Sequence, residues 1–391
     1  MAAAGDDQLL QQKVHDLNDL ELAALLSLIA REHCLISTSP EAVDELTEEL
    51  RLIAARTFGL SSAVVSCHAH TTLDDFATAL LLAPSPQVSV RSGSPLRTRH
   101  QAPHHHHDPS GPATAGSYFL PKPGALSRGA ISPSISTVAT SQPLIANVIL
   151  AKHLDRAPRA VQIQALELLR TRRIFTRTSV QTAPKQFLFI SVLSATSGGR
   201  AHVTPHLNDF FYLAHWHDPE DGFYYLDDGY GQTTHHETED IYGVSDDDVA
   251  STSSDTSPDS QPVFTETEIA LLAQLSRQVR VDVDVTRYQM NIISFLRTHR
   301  AVGSGTTPTA TKHFEQLMRS LAPLHGLDYV TPSLVGLAAK KVYLHRIKMV
   351  APEKERSMQW GSELAAVEPI LEGLGPEDVI DDVLGLVEAP H

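Results

Sequence analysis

"NVILAKHLDRAPRAVQIQALELLRTRRI", residues 147–174, decides the fold. Val148, Ile149 and Leu150 form an unbroken apolar run, the pattern of a parallel strand covered on both faces. We read a strand over 146–151, a short turn, and a helix over 158–171. Val161, Ala165 and Leu168 recur at helical spacing and should face the sheet. A carboxylate pair at such a strand end would grip magnesium, but here the chain reads Lys152-His153.

The neighbouring segments extend the pattern. "QFLFISVL" (186–193) is a second continuous apolar run, expected to lie parallel to the first. On the N-terminal side, Leu22, Leu25, Leu26 and Ile29 mark a helix within 18–32, and "HCLIS" reads as a buried strand over 33–37. Ser39 then serves as N-cap and Pro40 as first helical residue of a helix that Gly59 ends. Val43, Leu46, Leu50, Ile53 and Phe58 form its apolar stripe. "SAVVSC" follows as another strand. Strand, helix and strand in succession predict a parallel α/β sheet with crossover helices.

Two stretches interrupt it. Residues 84–140 are rich in Pro, Ser, Gly and His without any period, which predicts a disordered insert. Residues 231–262 hold eight acids and neither Lys nor Arg, a second mobile insert. The expected organisation is 1–83 and 141–230 as two halves of one α/β core, and 263–351 as a small bundle of four amphipathic helices. An acidic tail follows over 352–391, with one amphipathic stretch near "PEDVIDDVLGLVEA".

Composition narrows the classes. The 391 residues carry 31 Lys and Arg against 46 Asp and Glu, a net charge of −15, which argues against nucleic acid as the main partner. Two cysteines, Cys34 and Cys67, exclude a disulfide framework. No apolar run is long enough to span a bilayer, so no membrane association is expected. The start lacks targeting features, giving an expected cytoplasmic or nuclear location.

Three segments resemble the AAA+ ATPases of the MoxR and magnesium chelatase I-subunit family. "LDRAPRAVQIQALELLRTRRI" is similar to the stretch after that family's Walker B strand, and "APKQFLFISVL" to its sensor 1 strand. "LHGLDYVTPSLVGLAAKKVYLHRI" is similar to the end of its helical lid. The likeness spans roughly 20–83 and 142–350. It implies a P-loop NTPase-like core followed by an all-α lid, and an assembly of ring subunits.

The resemblance also assigns positions, and nearly every one is altered. A P-loop needs glycines so that backbone N–H groups wrap phosphate, and a lysine to neutralise it. "TSPEAVDE" places Thr38 and Glu41 where glycines belong, Asp44 at the lysine and Glu45 at the magnesium-binding hydroxyl. Three carboxylates near a triphosphate would repel it. Lys152 and His153 replace the Walker B acids, and lysine cannot ligate magnesium. Ser194 falls at sensor 1, Asp209 at the arginine finger and Thr309 at the sensor 2 arginine. No catalytic residue is expected intact, and no cofactor.

The leading expectation is therefore a non-hydrolysing scaffold or ring subunit of a chaperone- or chelatase-like assembly. By resemblance, its partners are a ring-forming AAA+ homologue or a von Willebrand A-type domain protein. A second reading is an ATP-dependent magnesium chelatase-type subunit, under which ATP and magnesium return as ligands. A third is a metal-responsive protein using its histidines: Cys67, His68 and His70; His104 to His107; His215 and His217. For these the blander readings carry more weight, namely turns, an insert and a sheet edge. Ser245 and the Ser/Thr/Asp cluster at 251–259 suit acid-directed phosphorylation.

Overall fold

The computed structural model describes residues 2–82, 144–176, 179–231 and 261–390. Both expected inserts lie outside the described residues, apart from residues 231, 261 and 262. His104 to His107, Ser245 and 251–259 lie outside them too.

In chain order the elements are α1 (Ala2–His15), α2 (Asp19–Ala30), β1 (Cys34–Thr38), α3 (Val43–Arg56), β2 (Ser62–Ser66) and α4 (Leu73–Ala79). Next come β3 (Val148–Lys152), α5 (Arg159–Thr171), the short strands β4 (Arg173–Phe175) and β5 (Val180–Thr182), and β6 (Leu188–Ser194). The core closes with α6 (Pro205–Phe210), β7 (Leu213–Trp216) and α7 (Tyr224–Gly231).

Five strands form one parallel sheet in the order β2-β3-β6-β1-β7, a P-loop NTPase-like arrangement. The two apolar runs lie side by side as expected, with Ile149 opposite Phe189 and Leu150 opposite Ile190. Side chains alternate between faces. Cys34, Ile36, Leu150 and Ile190 pack with α2 and α3, while Leu35, Ile149 and Phe189 pack with α5. Val161, Ala165, Leu168 and Leu169 are the buried apolar residues that α5 brings to that second layer.

The C-terminal part is helical: α8 (Glu266–Gln278), α9 (Val283–Thr298), α10 (Pro308–Leu324) and α11 (Pro332–Tyr343), with β8 (Val302–Ser304) paired to β9 (Lys348–Met349). Thr265, Asp282, Thr307 and Thr331 each cap the helix that follows, accepting a backbone N–H. Helices α12 (Leu364–Leu371) and α13 (Pro376–Leu386) follow. The amphipathic stretch of the tail is α13, and Val379, Ile380 and Val383 join the main core. No helix among the described residues is long and apolar enough to cross a membrane.

Candidate functional site

Four positions singled out in the sequence converge at the carboxyl ends of the central strands. Thr38 ends β1 and Ser194 ends β6, and the two are register partners. Lys152 ends β3, where its ammonium forms an ion pair with the carboxylate of Asp44, in the first turn of α3. The Lys152 side chain is 16% exposed and that of Asp44 is 84% exposed. The pair joins the end of β3 to the start of α3.

The backbone between β1 and α3 explains the shape. Ser39 is extended, Pro40–Ala42 form one 3-10 turn, and Ala42 N–H donates to Ser39 O at 3.2 Å. No residue of 38–45 has positive φ. A phosphate-wrapping nest needs alternation of right- and left-handed residues. Thr38 and Val43 are 0% and 1% exposed, so their side chains fill the inside of this turn. The Thr38 hydroxyl has no protein partner. Glu41 and Glu45 are exposed.

His153 sits beside this pair with φ 53°, in the left-handed region that His tolerates better than most residues. Its N–H donates to Val192 O at 2.8 Å. Burial, helped by the nearby Arg156 and Lys152, lowers the pKa of its imidazole. Arg156 of the "LDRAP" turn donates from Nη2 to Ser194 Oγ at 3.2 Å. That contact was not anticipated, although the arginine lay in the turn quoted first.

Asp209 and Thr309 make no described contact with this cluster. Asp209 Oδ1 accepts from Thr307 Oγ1 at 2.6 Å and lies 3.3 Å from Arg346 Nε. The Arg346 guanidinium is 1% exposed. It donates to the carbonyls of Phe211, of Asp209 (3.1 Å) and of Val342 (2.5 Å). Burial lowers its pKa to about 10, with Asp209 opposing. Asp209 therefore ties the helical part to the core within one chain, through Thr307, two residues before Thr309.

The histidine groups resolve differently. His68 and His70 are exposed in the turn after β2, and burial pushes the Cys67 thiol up to about 11. His215 and His217 lie at the sheet edge as expected, but both are buried, and Lys341 Nζ of α11 donates to His215 Nδ1 at 2.7 Å. No group of three or more His, Cys, Asp or Glu among the described residues is arranged to hold a metal.

Sequence reasoning also passed over Glu49, which is fully buried on α3 and accepts the first backbone N–H groups of α7 from Tyr225 and Leu226 at 3.0–3.1 Å. The signal was available, because Glu49 falls within the stripe made by Leu46, Leu50 and Ile53.

Residues 294–367 match the family model for the AAA lid domain. Among solved structures, the chain is similar to a putative ATPase from Cytophaga hutchinsonii at 12% identity and TM-score 0.60. That likeness covers 100% of this chain and 98% of the other. It is also similar to a full-length MCM homolog from Methanopyrus kandleri at 11% identity and TM-score 0.41, over 88% of this chain and 59% of that one; a likeness so weak carries no argument. No curated protein matches. The sheet order and these likenesses give the fold: a P-loop NTPase-like α/β core followed by a helical part that matches the AAA lid model over 294–367.

Proposed function

We propose that this chain is a non-hydrolysing AAA+-type protein of the MoxR and magnesium chelatase I-subunit kind. It serves as a scaffold or ring subunit in a chaperone- or chelatase-like assembly. The observation that carries this reading is the Asp44–Lys152 ion pair. An acid on α3 and a cation at the end of β3 satisfy each other where phosphate would need a cation and magnesium an acid. Buried Thr38 supports it, since the resemblance gives that position to a glycine. A magnesium-bound triphosphate does not fit these residues, and no chemical step is assigned to the site.

The partners on this reading are a ring-forming AAA+ homologue or a protein with a von Willebrand A-type domain. Titration of the purified chain with a fluorescent ATP analogue and magnesium tests it. We expect no saturation below about 1 mM, a binding free energy weaker than about −4 kcal/mol. A micromolar dissociation constant would overturn the reading.

A further inference from the structure

A cavity of 690 Å³ lies at the opposite ends of the strands from Lys152 and Asp44, between the ends of α2 and α5, the start of β6 and helix α8. Its volume falls within the range of small-molecule sites. Three cationic side chains line it, Arg31, Arg172 and Lys185, against one acid, Glu266. Leu28, Phe187 and Ile269 supply an apolar wall.

Two features separate this cluster from scattered surface charge. Arg172 is held in place, donating from Nη2 to Arg31 O at 3.2 Å and from Nη1 to Lys185 O at 3.4 Å. Those bonds use two of its five N–H groups, and the planar fork keeps donors for a further acceptor. Arg31 and Lys185 have no side-chain partner among the described interactions.

The second feature is the backbone. Arg31 caps α2 with φ 58° and Arg172 caps α5 with φ 55°. Helices that end in this left-handed conformation usually do so on glycine, which adopts it without steric cost. Among the described residues only His153 joins them as a non-glycine with positive φ. Both strained caps are arginines, and both line one cavity. Backbone strain retained at a residue whose side chain faces a cavity points to a use for that side chain.

We propose that this cavity binds a small organic anion, a phosphate or carboxylate carried on an apolar body. The oxyanion meets Arg172, Arg31 and Lys185, where charge-assisted and bidentate hydrogen bonds are available. The apolar body lies on Phe187 and Ile269. Because α8 forms one wall, the ligand touches both the α/β core and the helical part. The site is independent of the altered nucleotide positions, so its failure or success leaves the proposed function untouched.

Calorimetric titration of the full chain with phenyl phosphate, benzoate and inorganic phosphate tests it at low salt. Phenyl phosphate or benzoate should bind saturably at one site, with a dissociation constant below about 1 mM. Inorganic phosphate should bind more weakly, lacking the apolar part. The decisive variants are Lys185→Gln and Arg31→Gly, compared with Lys354→Gln as a control outside the cavity. Arg31→Gly relaxes the cap, so its melting temperature should stay level or rise while affinity falls by about ten-fold or more. No saturable binding of either aromatic anion would overturn the proposal. So would inorganic phosphate binding as tightly as phenyl phosphate, or affinity unchanged in Arg31→Gly and Lys185→Gln.

Discussion

Lys152 and Asp44 stand 108 residues apart in the chain, yet the ammonium at the end of β3 rests on the carboxylate in the first turn of α3. Since Asp44 is 84% exposed, solvent screens the attraction, and the pair should contribute no more than about 1 kcal/mol.

The first prediction is a charge exchange. Asp44→Lys alone places two ammonium groups together, and Lys152→Asp alone places two carboxylates together. Each should lower stability by about 1 kcal/mol. The double variant restores opposite charges in the reverse sense and should regain more than half of that loss. Phosphate release should stay at background in all three, because Thr38 and Val43 still fill the loop. Additive losses in denaturant melts would mean that the two side chains do not interact.

Stability should fall on acidification. Burial holds His33, His215 and His313 near 3, and His345 well below its ordinary value. Below about 6.5 the unfolded chain takes up protons that these folded imidazoles refuse, so each group costs up to about 1.4 kcal/mol per pH unit. Their stabilisation is present above that pH and lost as pH falls.

Glu32 acts with the opposite sign. Burial raises its pKa to about 7, against the pull of Arg172 and Arg346. The folded form keeps a proton that the unfolded form releases, and this contribution fades as pH rises through 7. Replacing Glu32 by Gln should therefore steepen the acid loss measured in denaturant melts between about pH 7 and pH 5. A slope shallower than that of the unmodified protein would contradict the assignment.

Much of the core was legible because it depends on period alone. Val148 to Leu150 and Phe187 to Ile190 announced buried parallel strands, and Val161, Ala165 and Leu168 the helix between them. The β4–β5 pair was not legible, since strands of three residues carry too little pattern to separate from loop. The partners of Asp44 and Asp209 were hidden for another reason. A motif position says what a residue has replaced, whereas its new partner is set by tertiary folding: Lys152 for one, Thr307 and Arg346 for the other. Glu49 shows an intermediate case, visible as a carboxylate inside an apolar stripe but without a visible mate.

The buried guanidinium of Arg346 makes the third prediction. Arg346→Met removes donors from the carbonyls of Asp209, Phe211 and Val342 at once, and should cost about 3 kcal/mol or more. Asp209→Asn keeps an acceptor for Thr307 and leaves those carbonyl bonds intact, so its cost should be nearer 1 kcal/mol. Thermal melts of the two variants give the ranking, and the reverse order would remove Arg346 from its place as the anchor between α11 and the core.

The last prediction concerns the turn after Ser194. Gly199 N–H donates to Glu377 Oε1 at 2.8 Å, tying the start of α13 to the core just beyond the end of β6. A Cβ on Gly199 would meet Pro376 Cγ at 2.6 Å and Glu377 Oε2 at 2.7 Å, closer than atoms tolerate. One of these is a ring carbon of proline and cannot swing away. Further along, α13 meets Lys340 through Asp381 at 2.6 Å, an exposed pair that contributes little, and half-buried His299 through Asp382 at 3.1 Å. The close packing at Gly199 thus seats the start of the helix, beside the buried contacts of Val379, Ile380 and Val383. Gly199→Val should displace α13 at a cost of about 1 to 3 kcal/mol, the usual penalty for overpacking. Glu377→Gln keeps the shape and an acceptor, and should cost far less. Hydrogen exchange reads the difference directly: amides of 376–386 should lose protection in Gly199→Val while those of β3 and β6 keep theirs. Unchanged protection of α13 in that variant would show that the turn does not seat it.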